Sequence, residues 1–165
     1  MRVLGIDPGT LNLGYGIVDE ADGDVVLVDC GVVSLPSKTP MEQRLTSLYQ
    51  KLKEVVSHYL PDELAVEEPF VAGNARSALA LGRAQAIAIL AAANVKLPVF
   101  RYSPTQVKQQ VTSYGSSSKE QVQEMVRLQL GLDKPPKSID AADALAVAIC
   151  HLHQRQLRNL LTSSQ

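Results

Sequence analysis

The apolar residues of this 165-residue chain change their period once, near residue 40, and that change limits the folds open to it. Before it they fall in short runs between turn signals: Arg2 to Asp7, Gly14 to Glu20, and Asp24 to Leu35. The last run follows Asp22-Gly23, a pair that favours a two-residue hairpin. Three strands with tight links predict an antiparallel meander. After it, Met41, Leu45, Leu48, Leu52, Val55 and Val56 recur at helical spacing until Pro61. Leu64 to Glu67 reads as a short strand closed by Pro69, Ala75 to Ala93 as a long Ala-rich helix, and Pro98 to Tyr102 as another strand. Ser103 with Gln106, and Ser118 with Gln121, carry the capping pattern of two more helices. Asp140 opens a last helix that runs to about Arg158. The order β-β-β-α-β-α-β followed by helices predicts an α/β fold, a mixed five-stranded sheet with helices on both faces. One domain is expected over residues 1–158, with 159–165 as a disordered tail.

Composition narrows the function classes. No apolar run is long enough to span a bilayer, and the opening MRVLGIDPGT places an acid directly after a strand pattern, which a secretory leader would not do. Cys30 and Cys150 lie far apart with no disulfide framework around them, so they read as reduced core thiols of a cytoplasmic protein. The net charge of −1 decides nothing, but its distribution is uneven. Residues 1–95 hold 7 basic and 12 acidic side chains, and residues 96–165 hold 9 basic and 5 acidic. A basic C-terminal part is compatible with a face for nucleic acid, and equally with an ordinary solvated surface.

Four carboxylates stand where a purely structural chain has little use for them. Asp7 ends the first strand in GIDPGT, Glu67 ends the fourth in LAVEEPF, and Asp140 and Asp143 open the last helix in SIDAADALA. Strand ends gather on one edge of an open sheet with crossovers, and sites form there. Positions i and i+3 share a helix face. Like charges brought together need a cation, and a set of oxygen donors suits Mg²⁺ or Mn²⁺. Two such ions could activate water against a phosphodiester. Each acid also has a plainer reading. Asp7 could form an Asx-turn, Glu67 and Glu68 could mark a solvated strand end, and Asp140 and Asp143 could cap a helix.

The segments GIDPGTLNLGYGIVD, AVEEPF, NARSALALGRAQAIAILAAA, PVFRYSPTQVKQQV and DAADALAVAICHLH, in this order and spacing, resemble the RuvC family of Holliday-junction resolvases. The resemblance covers about Val3 to His153 and implies a ribonuclease-H-like fold. It further implies a homodimer that nicks four-way DNA junctions in recombination and repair, with two Mg²⁺ or Mn²⁺ ions per subunit. By position, the family's metal-binding acids fall on Asp7, Glu67, Asp140 and Asp143. Its junction-contacting lysines fall on Lys108 and Lys119, and its stacking aromatic on Phe70. The helix 75–93 corresponds to the family's dimer interface, where Ala78, Gly82, Ala86 and Ala93 permit close approach. A branch-migration complex is the partner the family works with.

Two other classes share the opening. A phosphotransferase of the actin or sugar-kinase type also carries Asp-x-Gly-Thr after its first strand, as Asp7 to Thr10 do here, but needs two lobes and about twice this length. A related nuclease-like family linked to RNA processing lacks the paired acids of SIDAADALA. His151 and His153, at i and i+2, point apart on a helix and read as structural rather than as ligands.

Overall fold

The computed structural model describes residues 1–69 and 74–162. The elements run β1 (Arg2–Asp7), β2 (Asn12–Ala21), β3 (Asp24–Ser34), α1 (Met41–Tyr59), β4 (Glu63–Glu67), α2 (Ala75–Ala93), β5 (Val99–Tyr102), α3 (Pro104–Thr112), α4 (Lys119–Gln129) and α5 (Ile139–Thr162). The sheet order is β3-β2-β1-β4-β5. β1 pairs antiparallel with β2 and β2 with β3, whereas β1–β4 and β4–β5 are parallel. This is the mixed five-stranded sheet that the periodicity predicts. Asp22 and Gly23 both take positive φ (53° and 90°) between the paired residues Ala21 and Asp24, the conformation a two-residue hairpin needs.

Alternation along the strands sorts the chain into two cores. Val3, Val18 and Ala65 pack with α3, α4 and α5 on one face. Leu4, Ile6, Ile17, Leu64 and Val66 pack with α1 and α2 on the other. The two coverings differ in closeness. α5 is buried from Ala141 to Leu152 except at Asp143, which is only partly covered, and its backbone rests almost directly on β1 and β2. A Cβ on Gly5 would stand 2.1 Å from the Ala144 carbonyl oxygen, and one on Gly14 would stand 2.0 Å from that of Asp140. Only glycine admits such an approach. Because Gly14 pairs with Asp7, this contact sets the first turn of α5 beside the end of β1.

Both ends of α5 differ from the sequence expectation. The helix starts at Ile139, one residue earlier, where the Ala142 N–H donates to the Ser138 carbonyl. It also continues to Thr162, so residues 159–162 of the expected tail are helical, and 163–165 lie outside the described residues. No Gly or Pro follows Arg158 to stop the helix. The Thr162 hydroxyl donates back to the Arg158 carbonyl at 3.1 Å, as an i−4 bond does within a helix. Cys150 is buried as expected; Cys30, on the edge strand β3, is only partly covered. No helix among the described residues is long and apolar enough to cross a membrane.

Candidate active site

Strand parity decides which acids can meet. Asp7 shares its side of the sheet with Val3 and Gly5, and Glu67 shares it with Ala65, so both point towards α5 from the ends of neighbouring parallel strands. α5 supplies Asp140 and Asp143 one turn apart, in the segment that Gly14 admits against the sheet. All four acids line a single cavity of about 550 Å³, together with Lys108 of α3 and Lys119 of α4.

The plainer readings lose ground to this arrangement. With Ser138 at the helix start, Asp140 and Asp143 lie inside α5 and are displaced from the capping positions. Glu67 is half-buried towards the cavity, while its neighbour Glu68 is exposed.

Nothing among the described residues fully neutralises the cluster. Burial, and then the charges of Glu67 and Asp143, push the Asp7 carboxyl up to about 8. Burial and Asp143 push Glu67 up to about 7. Among the described residues, the cation paired within the cluster is Lys119, whose Nζ donates to Asp143 Oδ2 at 3.0 Å. Burial opposes its charge, but the Asp143 hydrogen bond and the nearby acids prevail, and its pKa is raised. Lys119 begins α4 directly after a Ser118–Gln121 capping box, and Lys108 stands in the helix capped by Ser103 and Gln106. Both lysines thus sit on helices whose starts are locally determined.

Among the described residues, no three Asp, Glu, His or Cys side chains are drawn up around one ion. The acids face a common space and stand apart across it. The donor chemistry still fits a hard divalent cation: every acid presents oxygen, two are held against ionisation by burial and mutual repulsion, and Asp143 has already drawn in an ammonium group.

Phe70 lies outside the described residues. His151 is fully buried and belongs to a different cluster, as its spacing from His153 suggested. Its Nδ1 accepts from the Tyr102 hydroxyl at 2.7 Å, and its Nε2 donates to Glu63 at 2.5 Å. Sequence reading missed Thr10, which lines the cavity from the loop after Asp7, Asn12, which lines it from the start of β2, and Ser77, which lines it from α2. It also missed Gln85 on α2, whose Nε2 donates to the Glu67 backbone carbonyl at 3.3 Å. Position after the GIDPGT strand could have signalled the first two; no local signal marks the others.

Comparison with known proteins gives one consistent result. The family model described as crossover junction endodeoxyribonuclease RuvC matches residues 3–151. A crossover junction endodeoxyribonuclease RuvC from Dehalococcoides mccartyi is 54% identical over 98% of this chain and 97% of the relative. One from Chloroflexus aggregans is 48% identical over 93% of each chain. Among solved structures, Thermus thermophilus RuvC in complex with a Holliday junction substrate superposes with a TM-score of 0.88 at 35% identity, covering 95% of this chain and 96% of that one.

Proposed function

The chain belongs to the family of RuvC crossover junction endodeoxyribonucleases, and on that premise we propose that it resolves four-way DNA junctions by paired, symmetrical hydrolysis of two phosphodiesters. The observation that carries this reading is the convergence of Asp7, Glu67, Asp140 and Asp143 on one cavity that also holds Lys108 and Lys119. Mg²⁺ or Mn²⁺, two per subunit and held by these four acids, would supply the charge that activates water and stabilises the leaving oxygen.

The chain's own groups do the rest. Lys108 and Lys119 bind backbone phosphates at the cavity rim as point charges. When Asp143 is neutralised from elsewhere, Lys119 is released to the substrate. Phe70, in the segment between β4 and α2, stacks on an unpaired junction base. A homodimer through helix 75–93 places two such cavities about a two-fold axis, matching the symmetry of the junction. That role is supported by the outward face of α2, where Leu79, Ala86, Leu90 and Ala93 are exposed while Ala84, Ala88, Ala91 and Ala92 pack inward. We place the protein in the cytoplasm, working with a branch-migration complex on recombination and repair intermediates.

Cleavage of a synthetic mobile four-way junction with Mg²⁺ or Mn²⁺, beside a linear duplex and an EDTA control, tests the reading. Paired nicks in the junction alone, abolished by EDTA, are expected. Binding without cutting under either metal would reduce the protein to a junction-recognition module.

A further inference from the structure

Glu67 is the acid whose backbone lacks the usual support. β4 directs alternate peptides to its two neighbours: the N–H groups of Leu64 and Glu68 donate to carbonyls of the β5 side, Pro98 and Tyr102. The Glu67 carbonyl therefore points the other way, towards β1. The parallel register pairs Ile6 with Val66, so the next donor for that carbonyl would be the N–H of residue 8. Residue 8 is proline and has no N–H. The ladder is thus broken at the acid that ends β4. Gln85 occupies the gap, its Nε2 donating to the Glu67 carbonyl at 3.3 Å from the middle of α2.

We infer that Gln85 is a positioning residue for the reaction: by replacing the ladder bond that Pro8 cannot make, it fixes the peptide that aims Glu67 into the acidic cavity. The inference rests on the nuclease reading above and deepens it. The hydrogen bond holds the root of the segment that links β4 to α2. It also ties Glu67 to the helix whose Ser77, Ala80 and Leu81 line the same cavity. Gln85 lies outside the lining of the cavity and acts through Glu67.

The test compares wild type, Gln85→Met, which keeps length and loses the donor, and Gln85→Arg, which keeps planar N–H donors. Mn²⁺ binding to the DNA-free protein is followed by the paramagnetic resonance of free Mn²⁺, and junction cleavage is resolved into kcat and KM. Gln85→Met is expected to weaken Mn²⁺ binding several-fold and lower kcat about tenfold with KM within twofold, and Gln85→Arg to restore most of both. Thermal unfolding separates this from general damage, because a merely structural glutamine would lower Tm and leave Mn²⁺ affinity of the folded protein unchanged. Wild-type Mn²⁺ affinity and kcat in Gln85→Met, or equal losses in Gln85→Met and Gln85→Arg, would overturn the inference. Failure of the wild type itself to cut a junction would instead overturn the nuclease reading, while Mn²⁺ binding still reports on Gln85.

Discussion

Glu63 and Glu67 lie on one five-residue strand, on the same face, under the same helix, and are held in opposite ways. At the start of β4, Glu63 Oε2 accepts from His151 and its Oε1 from Arg155, each at 2.5 Å, and Tyr102 completes the buried cluster through His151 Nδ1. The carboxylate there has a positive partner and the ring has both nitrogens satisfied. At the other end of the strand, Glu67 meets Asp7, Asp140 and Asp143 around a cavity, and burial raises its pKa and that of Asp7. The same residue type on the same two elements makes an internally balanced network at one end and an unbalanced one at the other. An acid cluster left short of positive charge among the described residues is costly to fold, and the cations proposed above would relieve that cost.

Breaking the unbalanced end should have the largest effect, and on chemistry rather than folding. Asp7→Asn is expected to keep junction binding and lose cleavage by about a thousandfold or more, since cation-borne stabilisation is worth several kcal/mol and each 1.36 kcal/mol is tenfold in rate. An active Asp7→Asn protein, measured on the same junction, would remove that residue from the reaction.

Breaking the balanced end should act on stability instead. Glu63→Ala leaves His151 and Arg155 without their acceptor and should cost roughly 3 kcal/mol. Chemical denaturation measures this, and Mn²⁺ affinity of the folded protein should be unchanged. A loss of Mn²⁺ binding larger than the loss of stability would merge the two clusters.

The acidity of the two ends sharpens the contrast. Asp7 and Glu67 keep their protons in the folded metal-free chain at pH values where the unfolded chain has released them. The folded state then binds more protons, so this part of the stability falls as pH rises from about 4 through about 8. His151 works in the other direction. Burial lowers its pKa, so its contribution is lost as pH falls below the ordinary histidine range. Denaturation midpoints across pH, with and without Mn²⁺, should show the high-pH loss disappear when the ion is present.

The smallest effects belong to the cavity rim. Lys108→Ala and Lys119→Ala should each make the salt dependence of junction binding shallower by about 0.7–0.9 in the log–log slope, one phosphate apiece. An unchanged slope would leave both as solvated lysines.

Much of this was legible in the sequence because local chemistry decided it. Asp22-Gly23 set the hairpin, Ser103 and Ser118 set two helix starts, and period alone separated strands from helices. The acids were legible by place, three elements ending or beginning with a carboxylate. The start of α5 was misread by one residue because Ser138 and Asp140 are both good caps, and only the close seat against Gly14 decides between them. Its end was misread because four exposed residues with no stop signal simply continue the helix. The Glu63–His151 pair spans 88 residues, and Gln85 matters only once Pro8 is known to face Glu67; both depend on register, which no local pattern carries.

The most direct measurement is thermal unfolding at pH 8 of wild type and Asp7→Asn, each metal-free and with saturating Mn²⁺. If the cavity is a cation site, the metal-free Asp7→Asn protein should melt above metal-free wild type, by roughly 2–4 °C for each kcal/mol of repulsion relieved. Mn²⁺ should raise the wild type well beyond any rise in the variant. A wild-type Tm indifferent to Mn²⁺, or equal shifts in both proteins, would contradict it.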